Sequence, residues 1–134
     1  MDSMNSTNIQ GLHLIIAWLG VFGGVVAGAV MGLFFHKETF LGGYASWPRR
    51  MVRLGHIAFF GLAILNFMFA KTVTTIDLHR CITLCSRLLL VATVTMPLLC
   101  YLSAFRRYYR HLFFIPAGSV LLASGLLLWR VFFP

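Results

Sequence analysis

Five histidines are the side chains of this sequence best suited to bind a metal, and they are spread along almost all of the chain. They are His13, His36, His56, His79 and His111. A neutral imidazole can offer one ring nitrogen to a metal while its other nitrogen needs a hydrogen-bond partner. These residues lie in or beside apolar segments, so they are candidate metal ligands within a membrane or near its surfaces.

Four glycines recur at a strict spacing of four in the first apolar segment. They are Gly20, Gly24, Gly28 and Gly32, and His36 continues the same row. Residues four apart lie on one face of an α-helix, so the row forms a groove without side chains. Two interpretations follow: the groove admits another helix at close range, or it accommodates a flat cofactor such as a porphyrin or quinone.

The composition places these residues in lipid. Of the 134 residues, 60% are hydrophobic and 10% are charged, and the mean hydropathy is +0.88. Soluble domains are about one quarter charged. The chain therefore reads as a single transmembrane domain, 1–134, in contact with a lipid bilayer.

Four apolar segments are long enough to cross a bilayer, which takes about 20 residues per helix. The predicted spans are 12–35, 52–70, 78–105 and 112–133. The fold class predicted is all-α, an up-down-up-down four-helix membrane bundle with short loops.

Basic residues set the predicted orientation. Seven of the eleven lysines and arginines flank the first and third connections. The positive-inside rule then puts loops 36–51 and 106–111 in the cytoplasm and both termini outside. We expect a bacterial inner membrane. The basic residues that give the net charge of +8 set this topology. They form no soluble basic face that could bind nucleic acid.

The levels of the histidines in these spans resemble the general plan of diheme b-type cytochromes. The resemblance is one of architecture and implies one haem b near each membrane face. It would make His13 and His79 outer ligands and His56 and His36 an inner pair holding the haem iron, with His111 as the next partner. Gly24, Gly28 and Gly32 would let the macrocycle approach the backbone.

Arg87 is a charge about two turns inside the third span. It is expected to snorkel to the interface or to pair with Asp77, with a haem propionate or with an acid of a partner subunit. Asn66 is a candidate for hydrogen bonding between helices, and the third helix has a roughly continuous polar or kinked face formed by Thr83, Ser86, Thr93 and Pro97.

The sequence contains no catalytic triad, phosphate loop or intramembrane carboxylate, which disfavours an independent enzyme or a proton-coupled transporter. Two functions remain open. The first is a structural or accessory subunit of a larger respiratory or photosynthetic electron-transfer complex, packed against other membrane subunits. The alternative is a b-type cytochrome subunit that passes electrons across or along the membrane.

Overall fold

The computed structural model describes residues 2–75 and 81–133, with side chains from residue 6 onward. This part of the chain folds into four α-helices, with no strand among its residues. The helices are α1 (Asp2–Phe34), α2 (Trp47–Thr75), α3 (Ile82–Phe105) and α4 (Phe114–Phe132). Short 3₁₀ helices occupy Phe40–Gly42 in the first connection and Arg107–Phe113 before α4.

The predicted all-α bundle of four membrane helices is confirmed, and its boundaries are corrected. Four helical stretches are long and apolar enough to span a membrane. However, α1 begins ten residues before the predicted start at 12, and α2 extends five residues beyond each predicted end. Hydropathy locates only the apolar middle of each helix. The helix itself continues into the polar interface until a residue breaks it. The predicted start of the third span at 78 lies outside the described residues.

Consecutive helices pack side by side and antiparallel. Near the start of α1, His13 meets Asn66 in the second half of α2, whereas further along α1 Gly28 lies against His56, near the start of α2. Asn66 also meets Thr93 of α3, and the Cys85 thiol points to a backbone carbonyl of α4 at 4.0 Å. The chain therefore runs up-down-up-down.

The two connections predicted to share a membrane face do lie at the same end of the bundle. The indole nitrogen of Trp47, at the start of α2, donates to the Ser103 carbonyl in the last turn of α3 at 2.8 Å. The last four carbonyls of a helix lack partners within it, so this bond satisfies one of them. We call this end, which carries the 36–51 and 106–111 connections, the arginine-rich end.

Candidate functional site

A buried polar cluster joins the first three helices. Its members are His13 of α1, Asn66 of α2, and Ser86 and Thr93 of α3. His13 and Asn66 are fully buried, and Ser86 is 5% exposed. The ring of Phe69 packs edge-on against the imidazole, with centroids 4.6 Å apart. Polar groups inside a membrane protein are costly unless they are paired, so the pattern of pairing decides what this cluster can do.

The hydrogen bonds of this cluster form one consistent chain of donors and acceptors. The Asn66 amide nitrogen donates to the Leu62 carbonyl at 2.7 Å and to Thr93 Oγ1 at 2.8 Å. Its amide oxygen faces His13 Nδ1 at 2.6 Å. Nδ1 must then carry the proton, because an amide oxygen can only accept. On the other side of the ring, His13 Nε2 lies 2.8 Å from Ser86 Oγ and accepts its proton in the neutral form.

This arrangement uses both ring nitrogens of His13 for contacts between helices. A haem ligand needs one nitrogen free for iron, and His13 has none in this geometry. Its level also differs from the predicted one, because α1 starts at Asp2 and His13 is therefore about three turns inside that helix. The predicted bonding role of Asn66 between helices is confirmed.

The glycine row of α1 is covered by side chains of α2. A methyl group added at Gly20 would lie 3.0 Å from Ala63 Cβ. One added at Gly24 would lie 2.8 Å from the Phe60 ring, and one at Gly28 would lie 2.8 Å from His56 Cε1. These distances are shorter than ordinary contacts between carbon atoms. The groove predicted from the glycine spacing exists, and α2 fills it down to Gly28.

The row is open at its far end. Nothing lies within 4 Å of a methyl group added at Gly32, and both Gly32 and His36 are exposed. Gly32 therefore lies beyond the coverage of α2. His36 follows the end of α1 at Phe34, and its imidazole has no ring contact among the described residues.

His56 is the one histidine with an unused buried nitrogen in the described part of the chain. Its Nδ1 is buried without a hydrogen-bond partner, and its ring packs at right angles to Phe60 with centroids 5.2 Å apart. A buried ring nitrogen without a partner is costly. His56 is about two helical turns nearer the bundle centre than His36, so the structure does not bring this predicted pair together.

The remaining predicted site residues stay apart from the cluster. Arg87 is exposed on α3 and has no carboxylate partner among the described residues. His79 and Asp77 lie outside the described residues. His111 is exposed in the 3₁₀ helix before α4. Within the described ranges no group of three or more histidine, cysteine or acidic side chains could hold a metal ion.

From the sequence, Arg49 is only one of the basic residues that set the orientation. In the structure it also has a structural role. It is 5% exposed, and its guanidinium donates to the carbonyls of Phe35, Lys37 and Glu38 just past the end of α1. The guanidinium carbon also lies 4.5 Å from the centre of the Phe35 ring. A cation at a helix C-terminus interacts favourably with the helix dipole and with the unpaired carbonyls there. Arg49 thus caps α1 from the start of α2.

The residues present do not form a cradle for haem inside the described bundle. The glycines that would admit a macrocycle are covered at Gly24 and Gly28, and His13 is fully hydrogen-bonded. The polar cluster and the packed glycine row hold α1, α2 and α3 together. Comparison of the chain with protein-family models, with curated proteins and with solved structures finds no match.

Proposed function

We propose that this protein is a cofactor-free structural subunit of a larger membrane assembly. The observation that carries the proposal is the use of the glycine row: α2 occupies it from Gly20 to Gly28 with its own side chains. A row kept for a flat cofactor would need that surface free. Glycine rows that let helix backbones approach closely are a common means of association in lipid.

The polar cluster supports the same proposal. His13, Asn66, Ser86 and Thr93 satisfy one another across three helices. The cluster therefore has no free nitrogen for a ligand and no carboxylate for proton transfer. Its effect is to fix the position of α1 on the α2–α3 pair.

The partner surface follows from the position of α1 at the edge of the bundle. Only 11% of the most apolar stretch of α1 is buried, compared with 39% in α2 and in α3. At its arginine-rich end α1 exposes two small residues, Ala29 and Gly32. Small residues on an exposed face allow a second helix to approach closely, so we assign the partner subunit to this face. An electron-transfer complex is the class of assembly to be tested first.

Site-specific photocrosslinking in native membranes tests this proposal. A photoreactive residue at Ala29 should form adducts with specific larger membrane polypeptides, identified by mass spectrometry. The same residue at Val94, which is 67% exposed on α3, is the matched control and should react with lipid. Adducts with lipid alone at both positions, in a protein that migrates as a free monomer, would contradict the accessory role.

A second function, haem binding as a b-type cytochrome subunit, is favoured by the unpartnered Nδ1 of His56. Such a site would need the packing of His56 against Gly28 to open, with the partner subunit completing it. The reduced-minus-oxidised absorption spectrum of the purified protein tests this alternative. A Soret band with a sharp α band that is lost in His56→Ala and kept in His111→Ala would establish His56 as a ligand. A spectrum without a Soret band, from folded protein, rejects the alternative.

A further inference from the structure

An apolar groove separates α2 from α4 on the side of the bundle away from α1. Its volume is about 460 Å³, within the usual range of about 300–1,000 Å³ for ligand pockets. Small residues form part of its lining, namely Ala58, Gly61 and Ala117, and Met96 of α3 also contributes to it. The groove is separate from the polar cluster and from the glycine row.

The groove is one part of a longer cleft between α2 and α4. On α2 its lining runs from Leu54 to Leu65, a rise of eleven residue steps or about 16 Å along the helix. Half of a bilayer core of about 30 Å is about 15 Å. The part from Leu54 to Leu65 is therefore long enough for one acyl chain, and beyond it the cleft continues as a second cavity that shares Leu65, Val120 and Ser124 and reaches Thr72 and Val131.

The lining is almost entirely apolar. Among the groove residues, only Ser124 has a polar side chain, and its hydroxyl donates to carbonyls of its own helix. A quinone head group would require donors or acceptors aimed into the groove, and none lines it. The occupant that matches this surface inside the membrane is a hydrocarbon chain.

The mouth of the groove is basic on both sides. Arg50 precedes Leu54 by four residues and Ile57 by seven, so it lies on the groove face of α2. Arg110 precedes Pro116 by six residues, about one turn of 3₁₀ helix followed by nearly one turn of α-helix. Both arginines are exposed.

Neither arginine is neutralised within the described residues. Arg110 has a contact with its neighbour His111 at 3.5 Å, and no carboxylate pairs with either arginine. Glu38, in the first connection, is the one acidic residue whose side chain the structure describes. Two unpaired guanidinium groups at the end of an apolar groove suit a phosphate.

We propose that this groove binds an anionic phospholipid of the leaflet at the arginine-rich end. One acyl chain lies between α2 and α4, and Arg50 and Arg110 bind the headgroup phosphate. Basic sites between membrane helices are known to bind anionic lipid headgroups. The lipid fills the gap between two helices that meet mainly through α3.

Native mass spectrometry of the full chain, titrated with defined lipids, tests the headgroup part. The probes are phosphatidylglycerol and phosphatidylcholine with identical palmitoyl and oleoyl chains. One juxtaposed arginine contributes about fivefold to the affinity for an anionic lipid. We therefore expect phosphatidylglycerol to bind at least about fivefold more tightly, and the R50Q/R110Q double variant to lose that preference. Arg87→Gln, at the opposite end, should keep it.

The groove itself is tested by filling it. Nothing lies within 4 Å of a methyl group added at Gly61 or at Gly125, and only Gly61 lines the groove. Gly61→Leu should weaken binding of both lipids several-fold, whereas Gly125→Leu should leave binding unchanged. If Gly61→Leu does not fold, Ala117→Leu fills the same groove from α4.

Three results would overturn the proposal. The first is equal affinity for the two lipids in the wild-type protein. The second is unchanged phosphatidylglycerol binding when the groove is filled. The third is a dimer that forms in the absence of lipid and is lost in Gly61→Leu, because a second copy of the chain would then be the occupant.

Discussion

The polar cluster predicts a specific energetic coupling between α1 and α2. Asn66→Ala removes two bonds between helices, one to His13 at 2.6 Å and one to Thr93 at 2.8 Å. Hydrogen bonds between membrane helices average about 0.6 kcal/mol and reach about 1.7 kcal/mol. The buried N–H left unpaired on His13 adds about 1–3 kcal/mol. We therefore expect a loss of about 2–6 kcal/mol in the free energy of unfolding.

The assay uses the buried thiols of the chain. Cys85 and Cys100 have no exposed surface, so their labelling during titration with sodium dodecyl sulfate in mixed micelles reports opening of the bundle. Thr95→Ala is the control, because the Thr95 hydroxyl donates only to the Val91 carbonyl of its own helix. Its effect should stay within about 0.5 kcal/mol.

A double-mutant cycle separates the contact from unrelated effects. If His13 and Asn66 bond as described, the losses in His13→Ala and Asn66→Ala should overlap, with a coupling of about 1–2 kcal/mol. Losses that add within about 0.5 kcal/mol would refute the reasoning, since the two side chains would then act independently.

Three further predictions concern helix packing and the arginine-rich end. Gly20→Ala should destabilise the bundle by about 1–3 kcal/mol through overpacking against α2, whereas Gly32→Ala should be neutral or stabilising. Both effects are measured by the same thiol labelling. Equal effects of the two substitutions would show that α2 does not cover the glycine row. Arg49→Gln should weaken the cap of α1. Backbone hydrogen exchange should then become faster in residues 35–46 and stay unchanged in α4. Unaltered exchange in residues 35–46 would argue against the cap. Trp47→Phe removes the hydrogen bond to the Ser103 carbonyl and should lower the free energy of unfolding by about 1 kcal/mol. The effect is measured as a lower midpoint of thermal unfolding in detergent. An unchanged midpoint would count against that bond.

The four-helix architecture could be predicted from the sequence because hydropathy and segment length are direct physical requirements of the bilayer. Helix ends were harder to place, since the interface tolerates both helix and loop. In the connection after α1, Gly42 and Gly43 both take positive φ angles, which few other residues adopt without strain.

The candidate site was only partly predictable. The sequence identified Asn66 and the polar face of α3 as bonding groups, because polar side chains inside a membrane need partners. It could not show that His13 would be that partner, since this depends on the antiparallel alignment of α1 with α2. The glycine spacing predicted a groove but not its occupant. Arg49 and Arg50 are adjacent and identical in sequence, and only the fold separates a buried cap from an exposed charge.

Haem content is the measurement that tests the central claim most directly, because the claim is that the glycine row of α1 holds α2 and not a cofactor. The protein should be purified from its native membrane in mild detergent, and haem should be quantified as the pyridine haemochrome against protein determined by amino-acid analysis. We expect haem far below one equivalent per chain in folded protein. One equivalent that remains through purification and is lost in His56→Ala would contradict it.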